Sequence, residues 1–255
     1  LQRYFIPTDA WSELNVTIQG EDVHHMIKVM RFKVGDKIIC NNDQSNAALC
    51  EIVDIQATKV EAKILDWLDE TVELPVQVTI AQGIPKGDKF DYVLQKGTEL
   101  GAAKFIPFKS DRSVVVWDNK KVDKKLIRFK KIVKEASEQS HRNQIPEVLS
   151  PMDLRDLIQF SSSYDIRIFA YEEEAKTDYY QSFGEVLNNT NKNDSLLIII
   201  GPEGGFSNSE AEQLKQNAFH PVRLGPRILR TETAAIYALA SISYHFEESI
   251  TSSDV

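Results

Sequence analysis

Between residues 59 and 64 the chain alternates charged Lys59, Glu61 and Lys63 with apolar Val60, Ala62 and Ile64. A period of two is that of a strand with one face in a core. The stretch 59–67 is one of three neighbouring β-rich runs; the others are 36–40 and 48–55, joined by the polar turn 41–46. A short opening strand at 3–6 and a helical segment at 23–30, led in by Glu21 and Asp22, complete a small β-barrel in outline. The acidic stretch from Asp66 to Glu73, ending at Pro75, reads as a linker. From Val76 the rhythm changes. Strand-like runs at 76–81, 104–108, 166–171, 196–200 and 221–224 alternate with helical patterns near 88–100, 122–140, 179–187, 208–216 and 231–246. Such alternation predicts an α/β domain whose parallel sheet is covered by helices on both faces. The division expected is a barrel over 1–72 and an α/β domain over 73–255, with 247–255 a disordered tail.

In the helix expected at 122–140, Val122, Leu126, Phe129, Val133 and Ala136 recur at steps of three and four, as one buried face requires. Lys121, Lys124, Lys125, Arg128, Lys131 and Lys134 are left on the outside. That placement changes what the net charge of −8 means. Residues 1–72 carry a net −5 and residues 143–255 a net −9, whereas residues 82–142 carry +7. A local basic field on an acidic chain suits phosphate recognition, because binding follows nearby charge more than the total. A solvated helix face explains the lysines equally well on charge alone. With 42% hydrophobic and 27% charged residues the composition is that of an ordinary folded domain. The longest apolar run, 196–200, is far too short to span a membrane. The first seven residues lack the basic region and apolar core of a signal peptide, so a cytoplasmic location is expected. Cys40 and Cys50 have no Cys or His at ligand spacing. They are expected as small apolar residues on two adjacent strands, with no metal.

Candidate chemistry centres on Leu196-Leu197-Ile198-Ile199-Ile200-Gly201-Pro202-Glu203-Gly204-Gly205-Phe206-Ser207. A buried strand runs into a Gly-rich turn, and glycines there let backbone approach a ligand closely. Neither the GxGxxG fingerprint nor the GxxxxGK[ST] phosphate loop is present, and Glu203 would repel a pyrophosphate. A positively charged cofactor without phosphate, such as S-adenosylmethionine, fits the turn better; a purely structural turn is the plain alternative. A second segment, Leu224-Gly225-Pro226-Arg227-Ile228-Leu229-Arg230-Thr231-Glu232-Thr233-Ala234, joins a strand to the last helix. Arg230 and Glu232 come near the Gly-rich turn if both loops leave the same sheet edge. In the basic zone, Arg112 sits at a strand–loop junction and Arg142 just beyond a helix end, where either can face solvent or a phosphate. His141 reads as an exposed helix-end residue.

Taken together, the segments HHMIKVMRFKVGD (24–36), QKGTELGAAKFIPFKSDRS (95–113), EASEQSHRNQIP (135–146), IGPEGGFS (200–207) and LGPRILRTETA (224–234) carry a resemblance. The chain resembles the ribosomal small-subunit (16S) RNA uridine-N3 methyltransferase family, a branch of the SPOUT superfamily. Five pieces in order across nearly the whole chain make the likeness specific. Departures are small: Met30 stands where the family usually has Leu, and the barrel is acidic overall. The resemblance implies a PUA-like β-barrel followed by a SPOUT domain with a trefoil knot. It also implies S-adenosylmethionine as cofactor, a homodimer, and uridine 1498 of 16S ribosomal RNA in the small subunit as substrate. The cofactor residues it implies are Tyr171, Glu172, Gly201, Pro202, Glu203, Gly204, Gly205, Phe206, Leu224, Gly225, Ile228, Leu229, Arg230, Thr231 and Ala234. For the methylation it implies, the catalytic candidates are Arg112, Arg142 and Arg230, with Glu232 as orienting partner or proton acceptor. RNA contacts are expected at Arg31, Lys96, Lys124, Arg128 and Lys131. Other functions compatible with these features are a knotted ribose 2′-O-methyltransferase and a non-catalytic RNA-binding assembly protein.

Overall fold

Val60 and Ala62 are fully buried, and each faces an equally buried partner across the strand pair, Ile18 and Val16. In the computed structural model, which describes residues 1–115, 117, 119–171 and 181–249, these pairs lie in the first of two compact units. That unit comprises Leu1–Glu73 with Ser137–Gln144; the second comprises Leu74–Ala136 with Ile145–Val255. The sequence reading assigns the segment 137–144 to the α/β domain. In the structure it groups with the first unit, where Asn41 Nδ2 donates to the Arg142 and Asn143 carbonyl oxygens at 3.3 and 3.2 Å.

Five strands form the sheet of the first unit: β1 (Arg3–Phe5), β2 (Asn15–Gln19), β3 (Lys37–Asn41), β4 (Ala47–Ile55) and β5 (Lys59–Leu68). Their order is β1-β3-β4-β5-β2, with β1 parallel to β3 and the remaining pairs antiparallel. β2 was not expected: Val16 and Ile18 alternate inward, but five residues give a weak pattern. Between β2 and β3 lie α1 (Glu21–His24) and a π turn, His25–Met30, closed by Arg31 in the left-handed region at φ 58°. Cys40 and Cys50 are free, buried thiols on the adjacent strands β3 and β4.

In the second unit the elements are β6 (Gln77–Gly83), α2 (Lys89–Glu99), β7 (Lys104–Phe108), α3 (Asn119–Gln139, whose last three residues group with the first unit), β8 (Glu147–Val148) and α4 (Leu154–Phe160). They continue with β9 (Ile166–Ala170), β10 (Gln181–Ser182), α5 (Phe183–Asn188), β11 (Ser195–Ile200), α6 (Asn208–Gln216), β12 (His220–Arg223) and α7 (Thr231–Ser243). A π turn, Tyr244–Glu248, extends α7. The seven described strands are all parallel, in the order β10-β12-β9-β11-β6-β7-β8. β11 shows why its run is apolar throughout. Leu196, Ile198 and Ile200 pack into one core with Phe90, Val93, Ala235 and Leu239, while Leu197 and Ile199 enter another with Leu157, Ala211 and Leu214. A parallel strand covered on both faces has no polar side to display. Of the apolar set on α7, Ala234, Ala235, Ala238 and Leu239 are buried in the unit's own core, and Ala240 is exposed.

Two short strands, β8 and β10, and the helix α4 were not expected. β8 and β10 have two residues each, and seven residues of helix carry too few turns to show a periodicity. The strand order has a consequence for function. β12, β9 and β11 are neighbours and parallel, so the loops that follow them leave the same edge of the sheet, where α/β domains bind ligands.

Candidate active site

Where β11 ends, Pro202 and Gly205 close a tight turn with a backbone hydrogen bond of 2.8 Å, and Gly205 takes φ 67°, which a glycine tolerates freely. The turn is pressed against its neighbours. A Cβ on Gly83, at the end of β6, would lie 2.4 Å from the Pro202 nitrogen. A Cβ on Gly204 would lie 3.1 Å from the Arg112 Cβ. Beyond the turn, Ser207 caps α6 in a reciprocal arrangement with Glu210. Glu210 is buried and also accepts hydrogen bonds from the Ser110 hydroxyl and the Asp111 N–H, so the 110–113 turn is fixed to the same cap.

A cavity of about 670 Å³ opens at this sheet edge, within the size range of small-molecule sites. Tyr171, the turn from Gly201 to Phe206, Leu224, Gly225, Ile228, Leu229, Arg230, Thr231 and Ala234 all line it, as do Arg112, Lys89, Arg223 and Arg227. Every cofactor position named from the sequence is therefore on its wall except Glu172, which lies outside the described residues. Phe206 is buried and meets the rings of Phe169 and Tyr171 at centroid distances of 5.5 and 6.4 Å, which stiffens the apolar end of the cavity.

Polar contacts join the loops. The Thr231 hydroxyl donates to the Gly201 carbonyl oxygen at 2.6 Å and accepts from Gln82 Nε2 at 2.6 Å, with Gln82 fully buried. Arg112 Nη1 donates to the Gly204 carbonyl oxygen at 3.1 Å, so this guanidinium is held at the Gly-rich turn while remaining exposed. Lys89 Nζ stands 3.0 Å from Glu203 Oε1 and 3.4 Å from Glu232 Oε2. Partial burial works to raise the Glu203 carboxyl. Hydrogen bonds from its own backbone N–H, the Lys89 ammonium and the Lys86 N–H outweigh that, so the group is held below the usual carboxylate range. Lys89 is pushed above its ordinary value, chiefly by its hydrogen bond to Glu203. Glu203 is thus ionised and already paired with Lys89, and among the described residues the other charged groups on the wall are Arg112, Arg223, Arg227 and Arg230.

Of the catalytic candidates, Arg112 and Arg230 line the cavity, and Glu232 sits in the first turn of α7 beside the lining residue Lys89. Arg142 does not line it. Its side chain is buried in the first unit and paired with the Glu73 carboxylate, which also accepts from the Asn143 and Gln144 N–H groups. Arg3 Nη1 donates to the Arg142 carbonyl oxygen at 3.3 Å. The expectation that Arg142 stands open to solvent or substrate is thus corrected: helix-end position alone carries no information about a carboxylate distant in sequence. Among the residues expected to touch RNA, Lys124 and Arg31 are exposed. Lys96 pairs with Glu99, and Arg128 with Asp91 and Asp88. Lys89 escaped the sequence reading. Its signal was the 83–91 segment, a fourth strand end with Gly83 and Gly87 before a helix.

Residues 72–243 match the family model of the RNA methyltransferase domain, and residues 18–65 match that of the RNA methyltransferase PUA domain. Ribosomal RNA small subunit methyltransferase E of Bacillus subtilis is 46% identical over 250 residues, covering 97% of this chain and 98% of the relative. This chain belongs to the ribosomal RNA small subunit methyltransferase E family. Like the family, it joins an N-terminal PUA-like unit to a parallel-sheet, SPOUT-like methyltransferase domain. A family member from Neisseria gonorrhoeae, solved bound to S-adenosyl methionine, superposes with a TM-score of 0.84 at 29% identity, covering 95% of this chain and 97% of that one. A methyltransferase from Legionella pneumophila in complex with the same cofactor gives a TM-score of 0.82 at 29% identity, over 94% and 96% of the two chains.

Proposed function

We propose that this protein transfers the methyl group of S-adenosylmethionine to N3 of a uridine in 16S ribosomal RNA of the small subunit, at position 1498 in ribosomal RNA numbering. The observation that carries this reading is the cavity at the ends of β9, β11 and β12, lined by every described residue that the family resemblance assigns to the cofactor. The residues present suit that molecule: glycine backbone that allows close approach, and an apolar wall at Tyr171 and Phe206. When bound, S-adenosylmethionine supplies a methyl group already activated by its sulfonium charge, so no metal is needed.

The protein's own task is to make N3 nucleophilic and to aim it. Neutral uridine holds its N3 proton well above neutral pH, and a nearby guanidinium stabilises the uracil anion and lowers that pKa. We assign this role to Arg112 and Arg230, which line the cavity, with Glu232 in the first turn of α7 as orienting partner or proton acceptor. Positioning of N3 against the methyl group does the rest. RNA is held by exposed basic groups, Lys124 on α3 among them, with Arg31, Lys96, Arg128 and Lys131 as further contacts. The loops lining the cavity form the trefoil knot in this reading. The protein acts in the cytoplasm as a homodimer, for which α7 offers the exposed Tyr237 and Ala240. None of the helices among the described residues is long and apolar enough to cross a membrane.

The test is methyl transfer to small subunits purified from cells lacking this protein, followed by mass spectrometry of the nucleosides. 3-Methyluridine at position 1498 is the expected product. A methyl group on a ribose 2′-hydroxyl, or no transfer at all, overturns the reading.

A further inference from the structure

Lys89 is the first residue of α2, and its ammonium meets side chains from two other segments of the second unit. Glu203 belongs to the Gly-rich turn after β11, and Glu232 to the first turn of α7. The Lys86 N–H donates to Glu203 Oε1 as well, at 3.2 Å, so that carboxylate is held once by the turn before α2 and once by α2 itself. Glu232 Oε2 is buried without a hydrogen bond, which leaves the Lys89 ammonium at 3.4 Å as its counter-charge.

An isolated exposed pair contributes little, because water screens it and two long side chains must be ordered. Here one ordered ammonium serves two carboxylates, and all three groups are about a third exposed or less, at 32%, 31% and 17%. Without the ammonium, two like charges would face each other at the cavity wall and push the turn after β11 away from the start of α7. Both segments line the cavity, through Gly201–Phe206 on one side and Arg230, Thr231 and Ala234 on the other.

We propose that Lys89 is a positioning residue that clamps the Gly-rich turn to the start of α7, and so sets the affinity of the cavity for its cofactor. The proposal rests on the reading of this cavity as the S-adenosylmethionine site. Lys89 acts through Glu203 and Glu232, so its loss should show first in cofactor binding.

The experiment is calorimetry with S-adenosylmethionine and S-adenosylhomocysteine, together with steady-state methylation of small subunits. Lys89→Met should weaken both ligands about tenfold and raise KM for the donor about as much. Lys89→Arg should restore most of the affinity, because it keeps the charge. Lys89→Gln is measured alongside, so that misfolding of one variant does not decide the matter. In a Glu203→Gln, Glu232→Gln background, Lys89→Met should have no further effect, which a general loss of stability would not produce. Unchanged affinity in a folded Lys89 variant, or the same loss in both backgrounds, overturns the clamp. If the unaltered protein binds neither ligand, the cofactor reading fails, and the clamp with it.

Discussion

The Thr231 hydroxyl donates to the Gly201 carbonyl oxygen at 2.6 Å, which ties the start of α7 to the loop after β11. Because Thr231 is buried and also accepts from Gln82, its loss leaves two polar partners short of a bond. Thr231→Val should destabilise the protein by about 1–3 kcal/mol, the usual cost of a buried group left unpaired. Thr231→Ser should cost much less. Urea denaturation of both variants checks this; equal midpoints for Val and wild type would show that the hydroxyl does not matter.

Two glycines near the turn should fail in different ways. A Cβ at Gly83 meets Pro202 backbone at 2.4 Å, so Gly83→Ala forces the turn itself to move and should lower the melting temperature. A Cβ at Gly204 would lie 3.1 Å from the Arg112 Cβ and 3.3 Å from its carbonyl oxygen, a milder contact that a shift of a few tenths of an ångström relieves. Gly204→Val should therefore fold while weakening S-adenosylhomocysteine binding at least tenfold by calorimetry. Normal affinity in the folded Gly204 variant would remove this turn from the cofactor site.

Arg142 and Arg112 should separate stability from turnover. Removing one partner of a buried ion pair typically costs about 3–5 kcal/mol, and Arg142→Ala strands Glu73 in that way. Arg112→Ala removes an exposed guanidinium at the cavity; it should barely affect melting but lower single-turnover methylation on the order of a hundredfold. If the Arg142 variant melts normally and methylates slowly, the assignment of roles is reversed.

Acid should act through the Asp165–Ser195 clasp, which joins the start of β9 to the start of β11. The Ser195 hydroxyl first, and its N–H second, hold the Asp165 carboxyl below its ordinary value. A depressed carboxylate stabilises the fold fully above its unfolded pKa, and that contribution disappears as pH falls through the folded one. Ser195→Ala should thus melt below wild type at pH 7, and the gap should narrow on acidification below about pH 4. A gap that stays constant down to pH 3 would contradict this.

The basic face of α3 should govern RNA affinity and not rate. Replacing Lys124, Arg128 and Lys131 together by Ala should weaken binding to small subunits and flatten its dependence on salt, since fewer counterions are released. The maximal methylation rate at saturating RNA should hold. Arg128 is already paired with Asp91, so the exposed Lys124 should account for more of the loss than Arg128. Filter binding at two salt concentrations decides it, and an unchanged slope would place the docking surface elsewhere.

The sequence by itself determined whatever depends on neighbours along the chain. Alternation at 59–64 marked β5, the unbroken apolar run 196–200 marked a strand covered on both faces, and the glycines of 201–205 marked close backbone approach. Five ordered motifs then carried the family, and with it most residues of the cavity wall. Tertiary structure decided what depends on pairs distant in sequence. Glu73 withdraws Arg142 from solvent across 69 positions, and Glu203 engages Lys89 across 114. A charged side chain reads the same in sequence whether it is solvated or paired, because burial and counter-charge come from segments that only folding brings together.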